Sequence, residues 1–413
     1  MYCEIEGITH KGEGVGRING KAVFIPYALP GEKVEIEIVK EKRKFAYARI
    51  LNILKPSSYR TEPSCSHYYQ CGGCHLQHTV YEEQLRIKQR IVEDATARIG
   101  KLDVEINGVI GADYPWQYRN KVTWHVKEGK LGYYQPESQN LVEIKTCRLI
   151  SEDMQRVSWV LSELLQRNEG YGQGEIVLRQ SSYSKRIMLI FKNLNLDSNF
   201  ISALKSQTDA IYFYNRGHLE HIHGDLYLEE KIGDNIFRLS PLSFFQINQK
   251  QNEKIIDFVK KALELTGGEK ILDAYCGVGS IGLSLADQAG FVLGIENNRE
   301  ATANAEYNAI QNRIKNSRFI AGDCEKILPE LHEKFDIAVV DPPRSGLERA
   351  VIDVLIKFKP EKILYVSCNP STLARDLALL TVGGYEIQKI QPFDMFCQTH
   401  HVECVVLMSR VEK

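Results

Sequence analysis

Ile271-Leu272-Asp273-Ala274-Tyr275-Cys276-Gly277-Val278-Gly279-Ser280 is the stretch on which the fold turns. Its apolar start reads as a buried strand, Cys276 to Ser280 as a glycine turn, and Ile281–Ala289 as the helix that follows. The unit then repeats. Phe291–Ile295 ends on Glu296 and precedes a helix over Arg299–Gln311. Ser317–Ala321 leads to Gly322-Asp323, Phe335–Val340 to Asp341-Pro342-Pro343-Arg344, and Ile363–Ser367 to Cys368-Asn369-Pro370. Strands alternating with helices at this spacing predict a parallel, doubly wound α/β sheet over residues 241–413. Such sheets hold ligands outside the carboxyl ends of their strands. Glu296, Asp323, Asp341 and Cys368 all fall there. Free cysteine is among the most buried residue types, so packing is the plain reading of Cys368. Its place at a strand end favours chemistry.

A glycine turn lets a cofactor approach the backbone, and an acid ending the next strand can hold two ribose hydroxyls. Glu296 fills that role. Gly277, Gly279 and Gly282 come near the dinucleotide pattern without matching it cleanly. A hydride-transfer enzyme would also have no use for the Asp-Pro-Pro and Ser-Cys-Asn-Pro segments. Prolines in those two segments stiffen the turns and free the preceding side chains to face the crevice. A late strand, His400–Met408, carries Glu403 near its start. An apolar surround would raise its pKa toward that of a working base, whereas a charge on a strand edge is the plain reading.

The remainder of the 413 residues divides in two. Residues 1–55 hold short segments punctuated by Gly12, Gly14, Gly16 and Asn19-Gly20, the last a hairpin signal. Lys21–Ile25 and Lys33–Val39 read as strands, and the whole as a small barrel. Gly12–Arg17 lacks the Lys-Ser/Thr of a phosphate loop and reads as a tight turn. Lys40–Arg49 interleaves cations with Phe45 and Tyr47, a pattern able to contact phosphates and stack on bases; a solvated hairpin tip is the plain alternative. Residues 56–240 form a central portion: a proline-bounded linker, a helix over Glu82–Ile99 ended by Gly100, a β-rich stretch with a helix around Met154–Asn168, and alternating strands from Gly170 to Ser240. Tyr114–Lys121 clusters aromatics with cations, as an RNA groove or as packed sheet residues. Cys65, Cys71 and Cys74 follow a Cys-x5-Cys-x2-Cys pattern, with Cys147 as a distant fourth. Four thiolates suit tetrahedral zinc or an iron–sulfur cluster, and spacing alone leaves both open, as it leaves unligated cysteines. His67, His75 and His78 crowd the same stretch and read as surface or supporting residues.

The bulk numbers exclude several classes. Hydrophobic content of 43% and charged content of 25% are those of an ordinary globular protein. A net charge of −1 confines any basic surface to a patch. With no signal peptide and no long apolar run, a cytoplasmic protein without membrane contact is expected. Its ten cysteines then read as thiols, metal ligands or catalytic groups.

Two resemblances add to this reading. Residues 1–55 resemble a TRAM domain, an OB-like RNA-binding module. FFQIN (244–248), LDAYCGVGS (272–280), GIE (294–296), DPPRSGL (341–347), SCNPSTLARDL (367–377) and HVE (401–403) resemble the RNA 5-methyluridine methyltransferases. Together the likeness covers most of the chain. It implies an N-terminal barrel, a central α+β domain with an iron–sulfur cluster, and a C-terminal Rossmann-like class I methyltransferase domain. It also implies S-adenosylmethionine bound by Gln246, Tyr275, Ser280, Glu296, Asp323 and Asp341, with Ser280 standing where relatives often carry Asn. Cys368 would add to carbon 6 of uracil, and Glu403 would remove the proton from carbon 5. Cys65, Cys71, Cys74 and Cys147 would hold a [4Fe–4S] cluster. The ribosomal branch is the nearer match, so 23S ribosomal RNA is the expected substrate of a monomeric enzyme. Archaeal-type relatives with the same architecture act on the T-loop uridine of transfer RNA. An amino-group methyltransferase is disfavoured because Arg344, not an aromatic residue, follows the prolines, and intact Cys368 and Glu403 disfavour a non-catalytic RNA-binding protein.

Overall fold

The computed structural model describes residues 1–167 and 169–411. Among these residues the strands form a closed five-stranded barrel, a seven-stranded mixed sheet, a two-stranded ribbon and a second seven-stranded sheet.

The barrel uses Tyr2–Ile8, Gly14–Ile18, Lys21–Ile25, Lys33–Glu41 and Phe45–Lys55. Alternation turns Val34 and Ile36 inward beside Cys3, Ile5, Val23, Ile25, Ala46 and Ala48. Asn19 and Gly20 have φ of 50° and 79°, the pair of positive angles that a two-residue hairpin turn needs. Gly12–Arg17 is not the tight turn expected: Gly14–Ile18 is a strand. Close packing explains the glycine at 16, since a Cβ there would lie 2.3 Å from Cys3 Sγ.

In the central portion, Glu152–Gln166 is a helix capped by Ser151, whose side chain accepts from the Met154 amide. It covers a sheet that includes Lys121–Lys127 and Gly174–Gln180, paired antiparallel. Asn168, included in the expected helix, lies outside the described residues. The all-strand reading of 170–240 missed the helix Ser198–Leu204, capped by Asp197. Seven residues are too few to show a helical period, yet this helix makes Ile187–Lys192 and Ala210–Asn215 parallel neighbours.

The C-terminal sheet runs in the order Ser317–Ala321, Phe291–Glu296, Lys270–Ala274, Ile337–Val340, Lys362–Ser367, Glu403–Arg410, Tyr385–Phe393. The wholly parallel expectation fails at one strand. Glu403–Arg410 is antiparallel to both its neighbours. The physical reason is its connection: residues 394–402 join adjacent strands at one end of the sheet without a crossover helix, so the chain reverses. This reversal decides the site. The start of the last strand now lies at the carboxyl end of Lys362–Ser367, with Cys404 in register against Ser367.

Helix Tyr81–Ala95 leaves the central portion and docks on this domain. Val92 joins the core of Leu373, Leu377 and Ile390, and Lys88 forms a fully buried ion pair with Asp394. On its other side Ile87 and Ile91 meet Leu29 and Leu76, tying in the barrel. Among the described residues no helix is long and apolar enough to cross a membrane.

Candidate active site

Cys368 follows strand Lys362–Ser367 and is half-buried. Asn369 caps the next helix, Pro370–Val382, by accepting from the Ser371 amide at 3.1 Å. Proline at the first helical position suits that entry, because its missing N–H would be unpaired there anyway. The Asn369 amide group also donates to the Arg344 carbonyl at 2.9 Å, and Thr372 Oγ1 donates to the same oxygen at 3.2 Å. The Cys368 and Arg344 turns are thereby locked together. Asp376 anchors the rest of the loop. Its buried carboxylate accepts from the Leu347 amide at 2.8 Å, the Tyr365 hydroxyl at 2.7 Å and Arg375 Nε at 2.7 Å. Gly346 is glycine because its φ is 78° and a Cβ would lie 2.5 Å from Asp376 Oδ2.

Glu403 is buried at the head of the reversed strand. Burial pushes its carboxyl well above the ordinary range, Asp341 adds to the rise, and the Arg344 guanidinium opposes it. Burial likewise pushes the Cys368 thiol up to about 11, with Glu403 adding and Arg344 again opposing. Thiol, carboxyl and guanidinium therefore share one electrostatic neighbourhood. Burial favours the protonated form of the thiol and of the carboxyl alike. The thiol is thus moved up, not down as an activated nucleophile requires, and Arg344 is the cation that pulls it the other way. Sequence reasoning noted Arg344 only as a departure from an aromatic motif and did not single out Asp376.

The six residues expected at the cofactor, Gln246, Tyr275, Ser280, Glu296, Asp323 and Asp341, are all half-buried. Glu296 is held from both sides: Oε2 accepts from the Gly277 amide at 3.0 Å and Oε1 from the Asn298 amide at 2.8 Å. Gly277 and Gly279 have φ of 56° and 81°, and a Cβ on Gly277 would meet nothing within 4 Å. The loop therefore leaves open space at Gly277, as the approach of a nucleoside requires, while a Cβ on Gly279 would lie 3.0 Å from Leu283. Asp273 serves the scaffold, accepting from the Gly282 amide at 2.9 Å. Tyr275 donates to Glu325 at 2.7 Å, and Asp323 pairs with Lys326 at 2.6 Å. Ser280 opens the helix Ser280–Leu285, and the Gln246 carbonyl accepts from the Asn120 amide group at 3.0 Å. Burial lifts the Asp341 carboxyl to about 7, with Glu296 adding to the rise.

Cys65, Cys71, Cys74 and Cys147 line one cavity of about 70 Å³ together with Arg119 and Tyr133. The Gly73 amide donates to Cys71 Sγ at 3.4 Å. Burial moves Cys71 up to about 11 and Cys74 up to about 12. Among the described residues no group of three or more His, Cys, Asp or Glu is assembled as a metal site. The structure thus unites the four cysteines around a cavity without displaying the expected cluster. His78 is not a surface residue: it is fully buried, with Nδ1 2.7 Å from the Tyr68 hydroxyl. His75 lies against His400, with ring centroids 4.4 Å apart and the rings tilted by 56°.

A mixed sheet with one reversed strand, a glycine turn beside an anchored acid, and a cysteine within electrostatic reach of a buried carboxyl make the arrangement that an S-adenosylmethionine-dependent methyltransferase needs. Comparison with known proteins narrows the class. Residues 192–411 match the family model described as tRNA (Uracil-5-)-methyltransferase, and residues 3–51 match the TRAM domain. The chain belongs to this family of uracil-C5 RNA methyltransferases and carries a TRAM domain. It is 38% identical to an uncharacterized RNA methyltransferase of Clostridium tetani, over 98% of this chain and 95% of the relative. A second uncharacterized RNA methyltransferase, from Listeria innocua, is also 38% identical, over 98% and 96%. Among solved structures, the Pyrococcus abyssi tRNA (uracil-54, C5)-methyltransferase in complex with S-adenosyl-L-homocysteine superposes with a TM-score of 0.79. It is 28% identical and covers 99% of this chain and 100% of its own.

Proposed function

We propose that this enzyme methylates carbon 5 of a uridine in 23S ribosomal RNA through a covalent bond between Cys368 and the base. The observation that carries the mechanism is the reversed strand, which puts Glu403 and Cys368 in one electrostatic neighbourhood. Carbon 5 of uracil is a poor nucleophile until a group adds at carbon 6. Cys368 Sγ forms that bond as a thiolate, and the ring electrons move toward the carbon 4 oxygen to give an enolate. S-adenosylmethionine, held by Gln246, Tyr275, Ser280, Glu296, Asp323 and Asp341, supplies a methyl group on a cationic sulfur. After carbon 5 has taken the methyl group, Glu403 in its ionised form removes the carbon-5 proton, and expulsion of the thiolate restores the ring. Arg344 favours the ionised forms of both groups against burial. The base must leave its stack, which costs a few kcal/mol and less in a loop.

A second target is favoured by one observation. A solved structure that matches over 99% of the chain is a tRNA uracil-54 enzyme, so the T-loop uridine of transfer RNA is the alternative substrate. Mapping 5-methyluridine in both RNAs, from cells with and without the protein, decides between them. Loss from 23S RNA supports the first reading, and loss from transfer RNA alone replaces it with the second.

Cys65, Cys71, Cys74 and Cys147 would hold the [4Fe–4S] cluster. What supports this is their shared cavity, whose four sulfur donors suit iron and sulfide. Binding there would displace the thiol protons that burial favours on Cys71, Cys74 and Cys147.

A further inference from the structure

Sharing Thr146, Cys147 and Arg148 with the cysteine cavity is a second hollow, of about 390 Å³, that the proposed reaction leaves unused. Tyr114, Trp116, Arg148, Arg156 and Trp159 line it, and Cys147 belongs to both walls. Tyr114 and Trp159 are 55% and 53% exposed, unusual for such large rings. Neither tryptophan is loose. Trp159 Nε1 donates to the Lys145 carbonyl at 2.7 Å, and the Arg148 guanidinium lies 4.9 Å from the centre of the Trp116 ring. The walls are pinned as well. Gln155, on the helix behind, accepts from the Cys147 amide at 2.8 Å, and the Gln117 amide donates to the Arg148 carbonyl at 3.0 Å.

From these contacts we infer that the hollow is a binding subsite for an unstacked nucleobase of the RNA, one that flanks the methylated uridine. Arg156 pairs with Asp153 and Glu152 also lines the hollow, so Arg148, which donates to the Ser64 carbonyl at 3.3 Å beside Trp116, is its main cationic group. Exposed aromatic rings beside such a cation offer a stacking face with a phosphate contact, the combination that holds single-stranded nucleic acid without reading its sequence. A protein segment would gain less from Arg148, whereas every nucleotide brings a phosphate. Position supports the same occupant. Asn120 donates to the Gln246 carbonyl at 3.0 Å, so the short stretch from Trp116 to Asn120 runs from the hollow to a residue proposed above to hold the cofactor. Four residues span at most about 13 Å, a gap that a few nucleotides bridge. The inference rests on RNA being the substrate and adds where a neighbouring base is held while the target is flipped.

The chain has three tryptophans, and Trp124 is buried in the central sheet, so fluorescence reports chiefly on this hollow. Titrating the full-length protein with a 15-nucleotide single-stranded RNA should quench Trp116 and Trp159, and a duplex of the same sequence should quench far less. Trp159→Ala should raise the KM for RNA about 10- to 100-fold with kcat little changed, while Trp159→Phe keeps most of the affinity. Near-ultraviolet circular dichroism, which reads the packing of buried rings such as Trp124, Tyr68 and Tyr365, verifies that the variants fold. No quenching by RNA, or an unchanged KM in Trp159→Ala, would overturn the subsite. A wild-type protein that binds the RNA with quenching yet methylates no uridine would instead refute the proposed reaction and leave the subsite standing.

Discussion

Alkylation of Cys368 exposes the electrostatics of the site without any substrate. Burial and Glu403 push this thiol to about 11, against the opposing pull of Arg344. An ordinary thiol near about 8.5 is roughly a tenth thiolate at pH 7.5, whereas one near about 11 is roughly 0.03% thiolate, a difference of about 300-fold. Since the thiolate is the species that reacts, iodoacetamide should label Cys368 in the folded protein about 300 times more slowly than in the denatured chain. Nine other cysteines compete among the ten, so labelling is followed on the Cys368 peptide by mass spectrometry between pH 7 and pH 10. The rate should climb across the whole range without levelling. Arg344→Gln removes the opposing cation and should slow labelling further. Glu403→Gln removes a carboxylate and should quicken it at the alkaline end, although methyl transfer falls. A labelling midpoint below pH 8.5 in the free protein would refute this reasoning, as would an Arg344→Gln variant that labels faster.

Three further outcomes follow from the same geometry. Glu403→Gln should lower kcat by about 10²- to 10⁴-fold, the usual range for a lost general base, and accumulate a covalent protein–RNA complex visible on a denaturing gel. Lys88→Met leaves the fully buried Asp394 carboxylate without its cation, and should cost about 3–5 kcal/mol in urea unfolding. A loss under about 1 kcal/mol would mean the pair is not what docks helix Tyr81–Ala95. Protein purified without oxygen should contain iron and sulfide in equal amounts and lose both when Cys71 is changed to Ser. Stoichiometric zinc without iron would overturn the cluster assignment.

Much of the C-terminal domain could be read residue by residue because buried parallel strands are continuous apolar runs that end on polar side chains. Glu296, Asp341 and Cys368 announce themselves in that way. The barrel was legible from Asn19-Gly20 and from the alternation of Val34 and Ile36. What stayed hidden was long-range. Lysine is almost never fully buried, so nothing local marks Lys88 as the partner of Asp394, 306 positions away. The reversal at Glu403–Arg410 depends on how residues 394–402 connect neighbouring strands, and an apolar run carries no sign of direction. Arg344 acts through space on two groups from other strands, so its role needed the fold. Gly14 and Gly16 misled because glycine permits both a turn and a close approach of backbones, and only the neighbouring strand shows which is used. His78 hides behind Tyr68, a contact that composition does not announce.

The central claim is a covalent bond between Cys368 and carbon 6 of a uridine. RNA carrying 5-fluorouridine at the target tests it most directly, because fluorine at carbon 5 cannot leave as a proton does, and the adduct stalls. With S-adenosylmethionine present, mass spectrometry should find the fluorinated, methylated nucleotide attached to the Cys368 peptide, and nothing attached in Cys368→Ala. Methyl transfer to uridine that survives Cys368→Ala, or that proceeds on normal RNA while no adduct forms on the fluorinated one, would contradict the account.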